Sequence, residues 1–450
     1  MNTQRDRWGS QLGFMLATIG FAIGLGNIWR FPYLTGQNGG GAFLLIYLGL
    51  VIVIGIPLFT AEISLGRKAQ KSPAAGMREL AGPSSPWRII GWLGIGAALL
   101  IMAYYQIIMG WIAAHLARAF GRGYTETDPA ALSAAFDSFT AQPVVVLAYT
   151  AVVLVILGLI VSRGLRKGIE RAAKMLIPVL FLFLIGLAIV GLQFDGASEG
   201  VAWLFVPDFS AVTSSTWLAA LGQVFYSIGV GMAGAFVFGS YLDPEKSDVP
   251  GNATKIVGCD TVAAVLAGMV IFPALFAFGL EPDTGPGLLF VTMSGLFARL
   301  PAGDMLAGAF FFLVFVAGLT SCLALIETLT GTFMDTFGWG RKRSLWSLLA
   351  LLFAGGIVIA LGYGPWSHIT VAGLGFFGLA DYISGNVFLT VGGLAISLYV
   401  AMSWGFDRFR EDTNRGAGPI RVTAAWGPVM KYIAPIAVAF VVLAGLGLLG

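Results

Sequence analysis

Apolar runs of about 20 residues recur along most of this chain, and each is long enough to cross the ~30 Å hydrocarbon core of a bilayer as one helix. Of its 450 residues, 57% are hydrophobic and only 11% are charged, whereas soluble proteins carry about 25% charged residues. A surface so poor in charge has to face lipid. The sequence therefore predicts an all-α integral membrane protein. It excludes an ordinary soluble enzyme, a secreted disulfide scaffold and a disordered chain, and a net charge of +3 is too small to indicate nucleic-acid binding.

Eleven transmembrane spans are predicted between the polar, Gly/Pro-rich or charged interruptions. They cover residues 11–36, 41–66, 88–120, 143–161, 168–192, 214–241, 252–279, 303–336, 344–363, 378–404 and 427–449. Basic residues test this layout, because Lys and Arg accumulate in cytoplasmic loops. With the N-terminus inside, 22 of the 26 basic residues fall on the cytoplasmic side. We therefore expect a multi-pass protein of the inner (plasma) membrane, with the N-terminus cytoplasmic and the C-terminus outside.

Two spans carry glycine clusters near their midpoints. The clusters are Gly20, Gly24 and Gly26 in span 1, followed by Asn27, and Gly229, Gly231 and Gly234 in span 6, preceded by Ser227. Glycine costs about 1 kcal/mol per residue in a helix, so both helices are predicted to be broken there. Unwound backbone at this depth is tolerated only where it lines a protein-enclosed cavity. Glycine packing between helices is the alternative explanation.

The two clusters are five spans apart, which is the spacing expected of two repeats with inverted topology. The repeats would be residues 11–192 and 214–404, with span 11 (427–449) added, all within one transporter domain (1–450). A half-helix that begins near Gly26 directs free N–H groups toward the cavity, which suits a carboxylate. Carbonyls of the preceding half-helix suit a hard cation such as Na⁺. The pattern favours a transporter.

Longer segments then resemble one family. The segment RWGSQLGFMLATIGFAIGLGNIWRFPYLTGQNGGGAFLLIYL closely resembles the first two spans of neurotransmitter:sodium symporters, which have the bacterial leucine-transporter fold. Further matches are AYYQIIMGW in span 3, LGQVFYSIGVGM in span 6 and FVAGLTSCLALIE in span 8. Many members have twelve spans, and some bacterial members have eleven, as expected here. The resemblance implies a Na⁺-coupled transporter and no enzyme activity.

The resemblance implies two sodium sites built from oxygen atoms alone. The first would use the Ala22 carbonyl, Asn27, Ser227, Asp260 and the substrate carboxylate. The second would use carbonyls of Gly20, Ile23 and Ala317 with the hydroxyls of Thr320 and Ser321.

Asp260 departs from the family pattern, because many members have Asn at this position. In chloride-dependent animal members, Cl⁻ lies beside the first sodium site, partly through a serine four residues further on. That position here is Ala264, which cannot bind an anion. Since an ionised carboxylate within a membrane needs a partner such as Na⁺, we expect Asp260 to replace the chloride. The alternative is an Asp at a solvated helix end.

The resemblance also implies a binding pocket for an amino acid. Its expected residues are Ala22, Gly24, Leu25, Gly26, Ile101, Tyr105, Tyr226, Ser227, Gly229, Met232, Ser321 and Leu325. None is charged, so a charged substrate side chain would be buried unpaired. Some relatives carry serine at Gly229, so the glycine is expected to enlarge the pocket, and Met232 is an adaptable wall. A bulky aliphatic or aromatic amino acid is expected.

Two gates follow from the same resemblance. The outer gate would pair Arg30 with Asp381, above a lid of Tyr105 and Tyr226. The inner gate would pair Arg5 with Asp335, with Trp8 packed nearby. Glu62 is expected to hydrogen-bond an unwound helix, and the role of Glu327 stays open.

Three other functions remain possible alternatives: a proton-coupled amino-acid transporter of the same fold, a membrane-embedded enzyme and a channel. The hydroxyls of Thr320 and Ser321 favour Na⁺ over the proton, and the spans carry no catalytic cluster of carboxylates or metal ligands. The expected partners are a small amino acid and the lipid bilayer, without nucleic acid, and the protein is expected to be a monomer or a weak oligomer.

Overall fold

The structure, a computed structural model, describes residues 7–121, 123–280 and 285–445. Within these ranges the regular structure is helical apart from two isolated β-bridges. Nine helices in the same ranges are long and apolar enough to cross a membrane, and a helix pair bent by 46° makes a tenth candidate. An all-α membrane fold is confirmed.

The helices occupy the expected spans, whose numbers are kept here. Span 1 is the bent pair Gln11–Ala22 and Gly26–Gln37, and span 6 is divided into Ser214–Ile228 and Gly234–Gly239. The remaining spans, from 2 to 5 and from 7 to 11, are Gly41–Ala69, Pro86–Phe120, Pro143–Val161, Leu165–Gly191, Val249–Ala277, Gly303–Phe337, Arg341–Tyr363, Phe376–Thr413 and Trp426–Leu443. Shorter helices in the loops are Pro73–Ala81, Pro129–Thr140, Ala197–Phe205 and Thr292–Arg299. Neither part of span 6 reaches the length of about 20 residues that crossing requires.

Both breaks lie at the predicted glycine clusters. In span 1 the helix ends at Ile23, whose backbone is extended (φ −73°, ψ 106°). In span 6, Gly229, Gly231 and Ala233 adopt left-handed backbone with φ of 69°, 84° and 60°. Glycine adopts this conformation easily, but an alanine pays about 1–2 kcal/mol. Gly94 of span 3 leaves room for Ala233, since a Cβ atom on Gly94 would lie 2.6 Å from the Ala233 Cβ.

Spans 3 and 8 form the centre of the molecule. Most of the apolar stretch of each is buried, whereas spans 4, 5, 9 and 11 expose the larger part of theirs, which suits contact with lipid. The inner half of span 1 packs against spans 5, 7 and 8. Both helix breaks are thereby enclosed by protein, as unwound backbone within a membrane requires.

Span 10 continues further than predicted. Its end was expected at residue 404, because Gly405 and a charged stretch follow. Instead the chain turns at Gly405 (φ 83°, ψ 129°) and a helix resumes at Phe406, ending at Thr413. Phe406 and Phe409 are buried. The charged stretch is therefore the solvent face of an amphipathic helix, which apolar content alone does not distinguish from a loop.

Candidate substrate and sodium sites

The first predicted sodium site brings together residues from three spans. Asn27 follows the break in span 1, Ser227 precedes the break in span 6, and Asp260 lies within span 7; all three are buried. The Asn27 Nδ2 atom donates to the Asp260 Oδ1 atom at 2.7 Å, and the Ser227 hydroxyl donates to Oδ2 at 2.9 Å. The Asn27 Oδ1 atom accepts from the Gly24 N–H group at 3.1 Å. A carboxylate, an amide and a hydroxyl thus converge between the two breaks.

The Asp260 carboxylate has neutral partners. Within the described ranges, no ion pair joins it to Lys, Arg or His. Hydrogen bonds offset part of the cost of burying a carboxylate, but an unpaired negative charge at this depth remains expensive. The oxygen-only surroundings suit a hard monovalent cation. Tyr47, which sequence reasoning missed, adds a hydroxyl 3.4 Å from the Ser227 Oγ atom.

The second predicted sodium site lies on the other side of the span 1 break. The Ser321 hydroxyl of span 8 lies 3.2 Å from the Gly20 carbonyl oxygen and 3.3 Å from that of Ile23. The Thr320 hydroxyl donates to the Ala317 carbonyl at 2.9 Å. All five predicted residues therefore belong to spans 1 and 8 where these two pack together. Neutral oxygens alone form this group.

A small cavity of about 30 Å³ borders both predicted sodium sites, since Ala22 of the first and Ser321 of the second line it. Its lining contains every expected substrate-binding residue except Ser227, and it adds Phe21. The Tyr105 hydroxyl reaches the break in span 1, where it accepts from the Leu25 N–H group at 3.1 Å. The volume is that of very few water molecules, so the side chains are drawn together around the centre in this conformation.

Phe21 corrects one expectation about the pocket. Gly229 was expected to enlarge the pocket, but a Cβ atom placed on Gly229 or on Gly234 would lie 2.5 Å from the Phe21 Cζ atom. The aromatic ring therefore fills the space that the two glycines leave. Sequence reasoning missed this residue, because nothing in an apolar stretch shows which side chains turn toward a break.

At the predicted outer gate, Arg30 and Asp381 have separate partners. The Arg30 guanidinium donates to the Gln223 Oε1 atom at 2.9 Å and lies 4.8 Å from the centre of the Tyr226 ring. Asp381 instead accepts from the Tyr104 hydroxyl at 3.0 Å. The predicted Arg30–Asp381 pair is not formed in this conformation and stays a prediction for others. Tyr226 lines the cavity with Arg30 above its ring, and its role as a lid stays a prediction.

Comparisons with known proteins agree with this geometry. The sequence profile described as "Sodium:neurotransmitter symporter family" matches residues 5–128 and 129–448. The chain belongs to the sodium:neurotransmitter symporter family. A sodium-dependent transporter of Bacillus subtilis (strain 168) is 35% identical over 444 residues, which is 98% of each chain. A second, from Methanocaldococcus jannaschii, is 32% identical over 98% of this chain and 90% of its own.

The solved structures include one with the same architecture. The crystal structure of MhsT in complex with L-phenylalanine has a TM-score of 0.88 and 38% sequence identity, and the match covers 98% of this chain and 100% of MhsT. A sodium- and chloride-dependent GABA transporter of Drosophila melanogaster is 25% identical over 92% of this chain and 48% of its own. This chain is accordingly a sodium-dependent membrane transporter and not an enzyme.

Aromatic packing holds Trp8 in place at the predicted inner gate. Trp8 donates from Nε1 to the Phe238 carbonyl at 3.0 Å, and its ring packs edge-on against Phe238 with centroids 5.2 Å apart. Asp335 accepts from the Ser72 N–H group at 2.8 Å. Arg5, the predicted partner of Asp335, lies outside the described residues, so this gate stays a prediction.

A neighbouring ion pair joins Arg7 to Asp243 at 3.1 Å. The N–H group of Glu245 donates to the same carboxylate, and this bond, with smaller effects from Lys246 and Arg7, lowers the pKa of Asp243. The carboxylate is exposed, so the pair contributes only about 0–1 kcal/mol. Such a weak contact suits a segment that has to open.

Two buried glutamates of the symporter hold other elements in place. Glu62 accepts from the Gly231 N–H group at 2.9 Å, within the break of span 6, as the sequence predicted. Glu327 forms a buried ion pair with Arg341 and accepts from the Tyr241 hydroxyl at 2.8 Å. Glu327 therefore ties span 8 to the beginning of span 9 and to the end of span 6, which answers the question that its sequence position left open.

Proposed function

We propose that this symporter imports neutral, hydrophobic L-amino acids, bulky aliphatic or aromatic, with two Na⁺ ions per substrate. One observation carries the proposal: the cavity beside the two oxygen clusters is lined by uncharged, mostly apolar side chains. A charged substrate side chain there would lose its hydration without gaining a partner. The resemblance in fold to MhsT, which was crystallised with L-phenylalanine, supports the same substrate class.

The proposed arrangement assigns each cluster a role. The substrate carboxylate would lie beside the N–H groups at the span 1 break, near Asn27 and the first Na⁺. Ser321 and Thr320 would hold the second Na⁺. Each Na⁺ that moves inward across ~100 mV contributes about 2.3 kcal/mol, so two ions drive uphill uptake. We propose alternating access, in which spans 1, 2, 6 and 7 rock against spans 3, 4, 8 and 9, as the family resemblance implies. Bound ions and substrate shift the outward-open and inward-open populations only through their different affinities for the two states.

We further propose that transport is independent of chloride. Asp260 places a fixed carboxylate beside the first sodium site, and Ala264, one helical turn further on, is buried and offers no anion ligand. The negative charge that chloride would supply is thus built into the chain. The proposal also keeps the inverted repeats at 11–192 and 214–404, a cytoplasmic N-terminus in the inner membrane, and a monomer or weak oligomer.

Uptake of labelled L-phenylalanine and L-leucine into proteoliposomes tests the proposal, with Na⁺, H⁺ and Cl⁻ gradients imposed separately. We expect uptake that requires inward Na⁺, a Hill coefficient near two for Na⁺, and no change when gluconate replaces Cl⁻. Uptake driven by a proton gradient without Na⁺ would favour the proton-coupled alternative. Competition by unlabelled amino acids then ranks substrates, and stronger competition by lysine or glutamate than by leucine would contradict the substrate class.

A further inference from the structure

We propose that Gly405 is a hinge in span 10, and that the inner arm beyond it, defined here as residues 406–418, moves with spans 2, 6 and 7. The part of span 10 before Gly405 would stay with span 3. The inference rests on the proposed alternating-access function, in which spans 1, 2, 6 and 7 move against spans 3, 4, 8 and 9. Span 10 belongs to neither group, and the proposal divides it into two parts that move with different groups.

The inner arm is bound to span 2 through a buried arginine. The Arg67 side chain is 1% exposed. Its guanidinium donates to the carbonyl of Asp412, to that of Arg415 at 3.0 Å and to that of Ser247 at 3.1 Å. The first two acceptors belong to the inner arm and the third to the loop between spans 6 and 7. One side chain thus joins three elements, and its planar set of donors fits this task better than a lysine.

Further contacts connect the same elements. Lys68 of span 2 pairs with the Asp412 carboxylate at 3.1 Å, and the Thr413 hydroxyl donates to the Ser64 Oγ atom at 3.0 Å. Gly416 has φ 69°, and a Cβ atom there would lie 2.6 Å from the Lys246 carbonyl carbon. The inner arm is therefore packed backbone to backbone against the loop that joins spans 6 and 7.

The part of span 10 before Gly405 makes its polar contacts elsewhere. Asp381 accepts from Tyr104 of span 3, and the Tyr399 hydroxyl donates to the Leu80 carbonyl in the loop before span 3 at 3.3 Å. The Phe388 ring fills the space beside Gly96 of span 3. This part of span 10 also packs closely against span 6, since a Cβ atom on Gly231 would lie 2.8 Å from the Leu389 carbonyl oxygen.

Gly405 lies where these two sets of contacts meet. Its backbone (φ 83°, ψ 129°) is in a region that glycine alone adopts readily. A Cβ atom on Gly405 would meet nothing within 4 Å, so neither packing nor close approach requires a glycine. Backbone freedom is the remaining reason for it. A straight helix bound to both moving bodies would resist their relative motion, and hinges absorb such motion in a few backbone dihedrals.

Spin-label distances test the hinge in the otherwise unmodified symporter. Nitroxides are placed in pairs on Lys255→Cys in span 7, Lys342→Cys in span 9 and Glu411→Cys in the inner arm, all exposed positions, in a chain that carries Cys259→Ala. Between Na⁺-free buffer and Na⁺ with L-phenylalanine, we expect the 255–342 and 411–342 distances to shift together, while the 411–255 distance stays constant. A 411–255 shift as large as the 255–342 shift would overturn the hinge. A constant 255–342 distance would overturn alternating access, and the hinge with it.

Two pairs of substitutions separate the hinge from general damage. Gly405→Ala should lower the uptake rate roughly fivefold or more, while Gly385→Ala should leave it near normal, because Gly385 lies in the same span with equal space but ordinary φ. Arg67→Gln should broaden the 411–255 distances, and Arg410→Gln, which removes only an exposed pair with Asp407, should not. Equal effects of the two glycine substitutions, or unchanged 411–255 distances in Arg67→Gln, would overturn the proposal. Arg67→Lys provides a milder variant should Arg67→Gln not fold.

Discussion

The Asn27 amide donates to the Asp260 carboxylate at 2.7 Å, which connects the break in span 1 to the middle of span 7. The bond orients the carboxylate without neutralising it, because an amide carries no net charge. Ser227 orients the second carboxylate oxygen in the same way. A charge fixed by neutral groups from two broken helices is available to a cation.

Asp260→Asn should weaken Na⁺ activation of uptake at least tenfold, equivalent to about 1.4 kcal/mol, because the substitution removes the negative charge and keeps the shape. The half-saturating Na⁺ concentration for L-leucine uptake in proteoliposomes measures the effect. Asp137→Asn, on the exposed helix of an outer loop, serves as the control. An unchanged Na⁺ requirement in Asp260→Asn would show that the carboxylate does not contribute to the sodium site.

Asp260→Asn combined with Ala264→Ser should make uptake respond to chloride. The fixed charge is then lost and a hydroxyl becomes available for an anion one helical turn away. Uptake by the double variant is expected to rise when Cl⁻ replaces gluconate, whereas uptake by the unsubstituted protein stays level. Equal rates of the double variant in both anions would count against exchange of the carboxylate for chloride.

Gly234→Ala should impair transport, because the new methyl group would overlap the Phe21 ring. Overpacking of this kind costs about 1–3 kcal/mol. Phe21→Val should restore activity to Gly234→Ala by making room. Uptake of L-leucine by the two single variants and the double variant forms a double-mutant cycle, and purely additive effects would contradict direct contact between the two positions.

Phe21→Val alone should shift substrate preference toward larger side chains. The ring lines the cavity and lies against Gly229 and Gly234, so a smaller residue leaves volume for an indole. Counterflow with L-tryptophan and L-valine measures the ratio of the two substrates. If the ratio is the same as in the parent protein, Phe21 does not determine substrate selectivity.

Arg341→Ala should destabilise the protein by about 3–5 kcal/mol, because it leaves the fully buried Glu327 carboxylate without its cation. Arg341→Gln with Glu327→Gln should recover much of the loss. Melting temperatures in detergent report the change, with Arg343→Ala as the matched control, since Arg343 is exposed and stacks on Trp339. Equal melting temperatures for Arg341→Ala and Arg343→Ala would contradict a structural role of the pair.

The sequence predicted the site better than the gates, for a physical reason. Glycine clusters weaken a helix, so the breaks in spans 1 and 6 could be located from the residue types alone. The resemblance then placed Ser321 and Asp260 beside these breaks. The partners of Arg30 depend on the conformation of the transporter. The sequence is the same in every conformation, so it does not show which partner Arg30 contacts in this one. Phe21 was missed because it lies in the last turn of an apolar helix, where the sequence does not show which side chains face the break. The inner arm was missed because its charged residues, such as Arg408 and Glu411, face solvent from a helix held by one arginine far away in sequence.

Phe21 of span 1 packs against Gly229 and Gly234 of span 6, so the two helices together determine how much space remains in the pocket. A relative with a small residue in span 1 and larger ones in span 6 can enclose the same space as this chain. Substrate selectivity then depends on Phe21 and the two glycines together. A substitution at one of these positions disturbs selectivity until a second substitution compensates for it. Evolution from one substrate to another in this symporter is expected to pass through coupled substitutions, so the size of the pocket has to be inferred from all the residues that face it.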